Sequence, residues 1–344
     1  MSLIAYVTRI HFADRVVEDA LPEELRKLAL SRLLILTDGA GEGDDGFDRV
    51  VDALPAGVSH VALRHVPVPP LVEDATAIAG CAGDQGCDGL VALGGPWVLA
   101  LARAAGQMAG LPVVALPTTT AGVGLDPMPP PFGPAPVPAL ILCDATLTLS
   151  ATQLETAAAG MDALTHCLEA YLGTTWNPPA DGIALEGLRR VAAHLERAVN
   201  AGQDLAARRE VLAAALNAGL AAQKGLGGVH ALAFALEAEA GIAARHGMLH
   251  AALLPPVMAF NAPAIADRIE AVRGALGLSG GADVAAALAA LGRRVGLPGG
   301  ISGLGLDLQA LGRVAGAAAE DAANRTNPRH ATAADYLAML KAAE

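Results

Sequence analysis

Aromatic residues are nearly missing: two Trp, three Tyr and five Phe make up 3% of 344 residues. That scarcity leaves no stacking platform for single-stranded nucleic acid. Charge is sparse as well, at 17% of residues, and lopsided. The 23 Lys and Arg face 35 Asp and Glu, for a net charge of -12. Such a surface repels phosphate backbones and anionic lipid, so neither nucleic acid nor a membrane is expected as a partner. Proline interrupts the uncharged stretches; residues 246–266 contain Pro255, Pro256 and Asn261, which argues against a membrane span. The opening segment MSLIAYVTRIHFADR has no basic region followed by a long apolar run and is not expected to act as a secretory signal. Cys81, Cys87, Cys143 and Cys167 form no CxxC pair and no zinc-ribbon spacing. They read as free thiols in a reducing, cytoplasmic setting.

Apolar material is abundant, at 53% of residues. A chain of this length exceeds what one core usually serves, so two domains are expected. The first part alternates apolar runs with helix-like stretches. RLLILTD (32–38), HVALRHV (60–66), GLVALGG (89–95) and LPVVALPTTT (111–120) read as strands, with helices between them. Continuous apolar strands alternating with helices predict a parallel sheet covered on both faces. Ligands of such sheets bind beyond the carboxyl ends of the strands. That rule gathers Asp38, Gly94, Gly95, Thr118, Thr119 and Thr120 on one edge. The proline-rich stretch PMPPPFGPAPVP (127–138) predicts a loop or irregular hairpin. From Thr152 onward, where TQLE has the form of a capping box, nearly everything reads as helix. The expected domains are 1–149, α/β, and 150–344, all-helical.

Two turns could hold phosphate. GEGDDG (41–46) fits G-x-G-x-x-G in form, but Asp44 and Asp45 would repel a pyrophosphate, so it reads as a solvated turn. LGGPW (93–97) leaves a strand and opens a helix whose first amides could hold a diphosphate. Asp38 could accept hydrogen bonds from ribose hydroxyls and would repel a 2′-phosphate, favouring NAD(H) over NADP(H).

The stretch GMDALTHCLEAY (160–171) places Asp162 and His166 four residues apart, on one helix face. Alone, with Glu155 and Glu169 near the same side, they fit a solvated polar face. His230 and His246, however, also lie in strongly apolar, helix-like surroundings. Three imidazoles and a carboxylate on such segments make a sensible site for Fe²⁺ or Zn²⁺.

The blocks TRIHFADRVVEDALPEEL, LLILTD, GCDGLVALGG, LPTTTAG, GMDALTHCLEAY, GVHALAFAL, RHGMLHAALLPPVMAFN and NPR occur in an order that resembles the iron-containing alcohol dehydrogenases and their relatives the maleylacetate reductases. The resemblance implies a dinucleotide-binding α/β domain, a helical domain, and a catalytic metal in the cleft between them. It puts the metal ligands on Asp162, His166, His230 and His246, and NAD(H) on Asp38, Gly94, Gly95, Pro96, Trp97, Thr118 and Thr119.

Several positions depart from the family pattern. Pro96 and Trp97 stand where a third glycine and a serine are usual, and Pro96 has no amide to offer. Phe234 replaces a proton-relay histidine. The 230–246 interval is two residues longer than usual and implies a bulge. His250, four residues after His246, has a counterpart in maleylacetate reductases and is the expected replacement proton donor. The expected function is reversible hydride transfer between NAD(H) and a small alcohol or carbonyl compound, by a homodimer. The alternatives are a maleylacetate-reductase-like enzyme using Arg245, Arg325 or Arg329 for a dicarboxylate, a lyase or cyclase of the dehydroquinate-synthase-like group, and a non-catalytic nucleotide- or metal-binding protein.

Overall fold

The computed structural model describes residues 8–39, 45–67, 70–125, 127, 132, 135–240, 246–304 and 308–344. Its described residues divide into two compact units, one ending at Ala151 and one running from Thr152 to Glu344.

The first unit carries a six-stranded parallel sheet in the order β1-β6-β5-β4-β2-β3. Its strands are β1 (Arg9–Phe12), β2 (Arg32–Thr37), β3 (Ser59–Arg64), β4 (Gly89–Gly94), β5 (Val113–Pro117) and β6 (Leu140–Cys143). The helices α1 (Val16–Lys27), α2 (Asp45–Asp52), α3 (Val72–Asp84) and α4 (Pro96–Ala109) connect them. Every residue of β4, β5 and β6 is buried, which is why these strands read as unbroken apolar runs. Each fully buried Leu or Val here contributes about 1.5–3 kcal/mol over its exposed state. α4 ends at Gly110, whose left-handed φ of 67° suits glycine and turns the chain into β5.

The second unit is helical among its described residues: α5 (Gln153–Leu172), α6 (Pro178–Asn200), α7 (Leu205–Ala222), α8 (Gly228–Ala240), α9 (His246–Asn261), α10 (Ile269–Ala275), α11 (Val284–Arg294), α12 (Leu311–Glu320) and α13 (Ala333–Ala342). α5 starts with the expected capping box. The Thr152 hydroxyl accepts from the Glu155 amide at 3.2 Å, and Glu155 Oε2 accepts from the Thr152 amide at 2.8 Å. α5 packs against α6, α7 and α9 and is buried almost all round from Thr156 to Leu172. Beyond its exposed first turn, which includes Glu155, its polar residues have no solvated face to occupy, and Glu169, expected on such a face, is 6% exposed. Among the described residues no helix is long and apolar enough to cross a membrane. Four residues of the GEGDDG turn, most of the 127–134 stretch and the expected bulge at 241–245 lie outside the described residues.

Candidate metal centre

Three helices supply the centre. α5 carries Asp162, His166 and Glu169 at spacings of four and three, one stripe along the helix. α8 carries His230 near its start, and α9 carries His246 and His250 one turn apart. Close approach of α9 to α5 requires Gly247, where a Cβ would come within 2.1 Å of the Ala158 carbonyl oxygen.

Asp162, His230, His246 and His250 each offer a ligand atom, and these atoms all lie within 4.8 Å of one another. Nδ1 of His250 is 3.1 Å from Asp162 Oδ1, and Nε2 of His246 is 3.7 Å away. His166 stands beside this quartet rather than in it. Its Nδ1 lies 3.0 Å from the Asp162 carbonyl oxygen and 3.2 Å from Oδ1, and its Nε2 is 3.1 Å from Nε2 of His230. Donors that share one cation at about 2.1 Å sit at such separations.

Three of the rings turn Nδ1 to an oxygen outside the cluster of donor atoms or on the neighbouring backbone. A carbonyl oxygen only accepts, so His166 carries its proton on Nδ1. His230 Nδ1 meets Glu169 Oε2 at 2.6 Å, and His246 Nδ1 meets Glu237 Oε1 at 2.9 Å. With Nδ1 turned to a carboxylate, Nε2 of each ring faces inward, the arrangement found around metal-ligating imidazoles. Both nitrogens of His250 and Oδ1 of Asp162 are buried without a hydrogen-bond partner among the described residues. Unpaired buried polar atoms of this kind cost about 1–3 kcal/mol each unless something satisfies them. A divalent cation fits the donor set.

The electrostatics match. Burial and then the repulsion of His166, His250 and His246 hold His230 well below the usual histidine range. Burial, with His246 beside it, pushes His250 down to about 3. Burial works to raise Asp162, yet the attraction of His166 and His250 outweighs it and keeps the carboxyl far below the ordinary value. For His230, His250 and Asp162 these shifts favour a neutral ring or an ionised carboxylate, the forms in which such groups bind metal. His246 is shifted upward, because Glu237 and Asp162 outweigh the effect of its burial.

The expected nucleotide residues come together at the strand ends of the first unit. Asp38 Oδ2 accepts a hydrogen bond from the Gly95 amide at 3.0 Å. Gly94 must be glycine there, since a Cβ would lie 2.8 Å from Asp38 Oδ1 and 2.7 Å from Val98 Cγ2. The Thr118 amide donates to the Gly94 carbonyl at 3.1 Å, and Thr119 lies against Gly95. Pro96 occupies the first helical position of α4, exposed, with Trp97 half-buried behind it.

Sequence comparison decides the family. Residues 8–126 match the family described as iron-containing alcohol dehydrogenase, and 156–344 match the Fe-containing alcohol dehydrogenase family, C-terminal. The chain belongs to the iron-containing alcohol dehydrogenase family. It is 33% identical to 4-hydroxybutyrate dehydrogenase of Cupriavidus necator, over 99% of both chains. It is 32% identical to maleylacetate reductase 2 of Cupriavidus pinatubonensis, over 79% of this chain and 77% of that one. The crystal structure of a 1,3-propanediol oxidoreductase superposes with a TM-score of 0.91 at 24% identity, covering 100% of both chains. Membership makes this chain an oxidoreductase of the iron-containing type that acts on alcohols and aldehydes.

Two features of the centre were not foreseen in the sequence: the part played by Glu169 and the stacking of Phe234 on His246. The Phe234 ring lies 5.5 Å from that of His246 at 20° and 5.7 Å from that of His230. Of the arginines expected to suit a dicarboxylate, Arg329 lies over the Phe260 ring and donates to the Phe260 carbonyl. Arg325 is exposed, and Arg245 lies outside the described residues.

Proposed function

We propose that this enzyme moves hydride reversibly between NAD(H) and a small alcohol or its aldehyde or ketone, using one divalent cation held by Asp162, His166, His230 and His246. The observation that carries the reading is the convergence of Asp162 with imidazoles, buried for His230 and part-buried for His246, whose Nδ1 atoms already face a carboxylate. When bound, the metal supplies Lewis acidity toward the substrate oxygen, while the hydride chemistry belongs to the nicotinamide. The chain's own residues do the rest. Glu237 orients His246, and Phe234 presents an apolar wall beside it.

His250 enters the reading as a further donor to the cation rather than as the expected proton donor. It is 0% exposed and faces Asp162 Oδ1, whereas a proton donor must reach the substrate. Neutral imidazoles with one carboxylate suit either Fe²⁺ or Zn²⁺. Asp38, with its carboxylate at the Gly94–Gly95 turn, supports NAD(H) over NADP(H). Since Pro96 has no amide and the Gly95 amide is engaged by Asp38, Thr118 and Thr119 are the side chains left to steady the diphosphate. The four free cysteines support a cytoplasmic setting, and homodimers are the commonest assembly for such enzymes.

The test is NADH oxidation by chelator-stripped protein before and after reloading with Fe²⁺ or Zn²⁺. Substrates are a panel of aldehydes, ketones and oxo acids, with 4-hydroxybutyrate and short diols run in the oxidative direction. Reloading is expected to raise the rate on the order of 10³-fold, the effect of several kcal/mol of transition-state stabilisation. A stripped enzyme that turns over at the full rate contradicts the Lewis-acid role.

A further inference from the structure

Glu169 is the second buried carboxylate of α5, seven residues beyond Asp162, yet it faces no cation donor atom directly. Its two oxygens each accept a backbone N–H, and one of them also faces a ring nitrogen. Oε1 accepts from the Val229 amide at 2.6 Å. Oε2 accepts from the Gly227 amide at 2.9 Å and lies 2.6 Å from His230 Nδ1. The two amides open α8, so the carboxylate anchors the start of the helix that carries His230 and also fixes the ring itself. Asn327 completes the anchor by accepting from the Gly228 amide at 3.0 Å.

We propose that Glu169 is the positioning residue of the metal centre, holding His230 in the Nδ1–H form so that Nε2 presents its lone pair to the cation. The proposal rests on the metal reading above. Its physical content is an acceptor count. A carboxylate offers acceptors at both oxygens and so meets three N–H groups at once. A glutamine cannot. With its carbonyl at the Oε2 place, its NH₂ confronts the Val229 N–H. Turned round, its NH₂ faces His230 Nδ1, and only the Nε2–H ring can accept that contact. The Nε2–H ring has no lone pair left for a cation.

The direct test leaves Glu169 in place. Long-range ¹⁵N–¹H correlation spectra of histidine-labelled, metal-free protein, with His230→Gln to assign the signals, read the ring's tautomer. The expected result is Nδ1–H for His230; an Nε2–H ring in the wild type overturns the proposal. In Glu169→Gln the tautomer is expected to shift toward Nε2–H and Fe²⁺ or Co²⁺ affinity to fall about 10- to 100-fold, the usual effect of removing an outer-shell partner. Glu169→Asp, which keeps the charge, is expected to recover part of that loss. A folded Glu169→Gln protein with wild-type metal affinity also overturns it. A wild type that binds no cation while His230 stays Nδ1–H removes the metal reading and the proposed purpose together. That outcome is distinct from a ring that Glu169 fails to fix.

Discussion

Asp38 shows how one side chain couples local structure to cofactor choice. At the end of β2 it takes the Gly95 amide, a contact that admits only glycine at position 94. The same charge opposes the roughly −2 charge of a 2′-phosphate. At an effective dielectric near 20, two unit charges about 4–6 Å apart interact by about 3–4 kcal/mol, less once water screens them. NADH is therefore expected to be preferred over NADPH by at least about tenfold in kcat/KM. Asp38→Ala should narrow that ratio by raising kcat/KM for NADPH. Equal use of both coenzymes by the wild type would remove the inference. Asp38, Asp162 and the histidines were legible in the sequence because charged groups stood out against apolar runs. Glu169 was not, because its partners at 227, 229 and 230 lie about sixty positions along the chain. Nor was the place of His250: spacing puts it on the face of His246 but does not say that it meets Asp162.

Among the elements, the strands read from the sequence include the largely buried β2, β4 and β5, where the apolar run is long, and also β3, which is partly exposed along its length. β1 escaped that reading. It is four residues long at the sheet edge, has an exposed Arg9, and carries no apolar run. α1 was equally obscure, since Pro22 sits inside it. The centre depends on how tightly α9 meets α5, and Gly247 controls that contact. Gly247→Ala would set a Cβ against backbone, which cannot swing aside as a side chain could. The helices must part, at a cost of about 1–3 kcal/mol or more. Thermal denaturation should show the lost stability, and calorimetric titration a weaker cation affinity, because His246 shifts with the helix. A Gly247→Ala protein with unaltered melting and affinity would refute this account of the packing.

For the whole molecule, the balance of charge sets the response to acid. Glu24 on α1 is buried, which works to raise its pKa. Hydrogen bonds from Lys27, Arg9 and His11 outweigh burial and bring it from 4.5 down to about 2. The folded state thus binds fewer protons than the unfolded state between these values. The stability Glu24 contributes is complete above about 4.5 and is lost as pH falls toward about 2. Urea unfolding of wild type and Glu24→Gln should show the widest gap at pH 7 and a narrowing gap from pH 4.5 downward. A gap independent of pH would mean that the ion pairs tying β1 to α1 do not stabilise the fold. At this scale the α/β and helical halves were plain in the sequence, because the change from strand-length apolar runs to helical patterning falls close to the Thr152 cap. The account as a whole depends on one cation per chain. Anaerobic titration of chelator-stripped protein with Fe²⁺, read as bound metal per chain, measures this directly. One equivalent is predicted for the wild type and none for the Asp162→Ala, His246→Ala double variant. No binding by the wild type, or the same stoichiometry in both proteins, would contradict it.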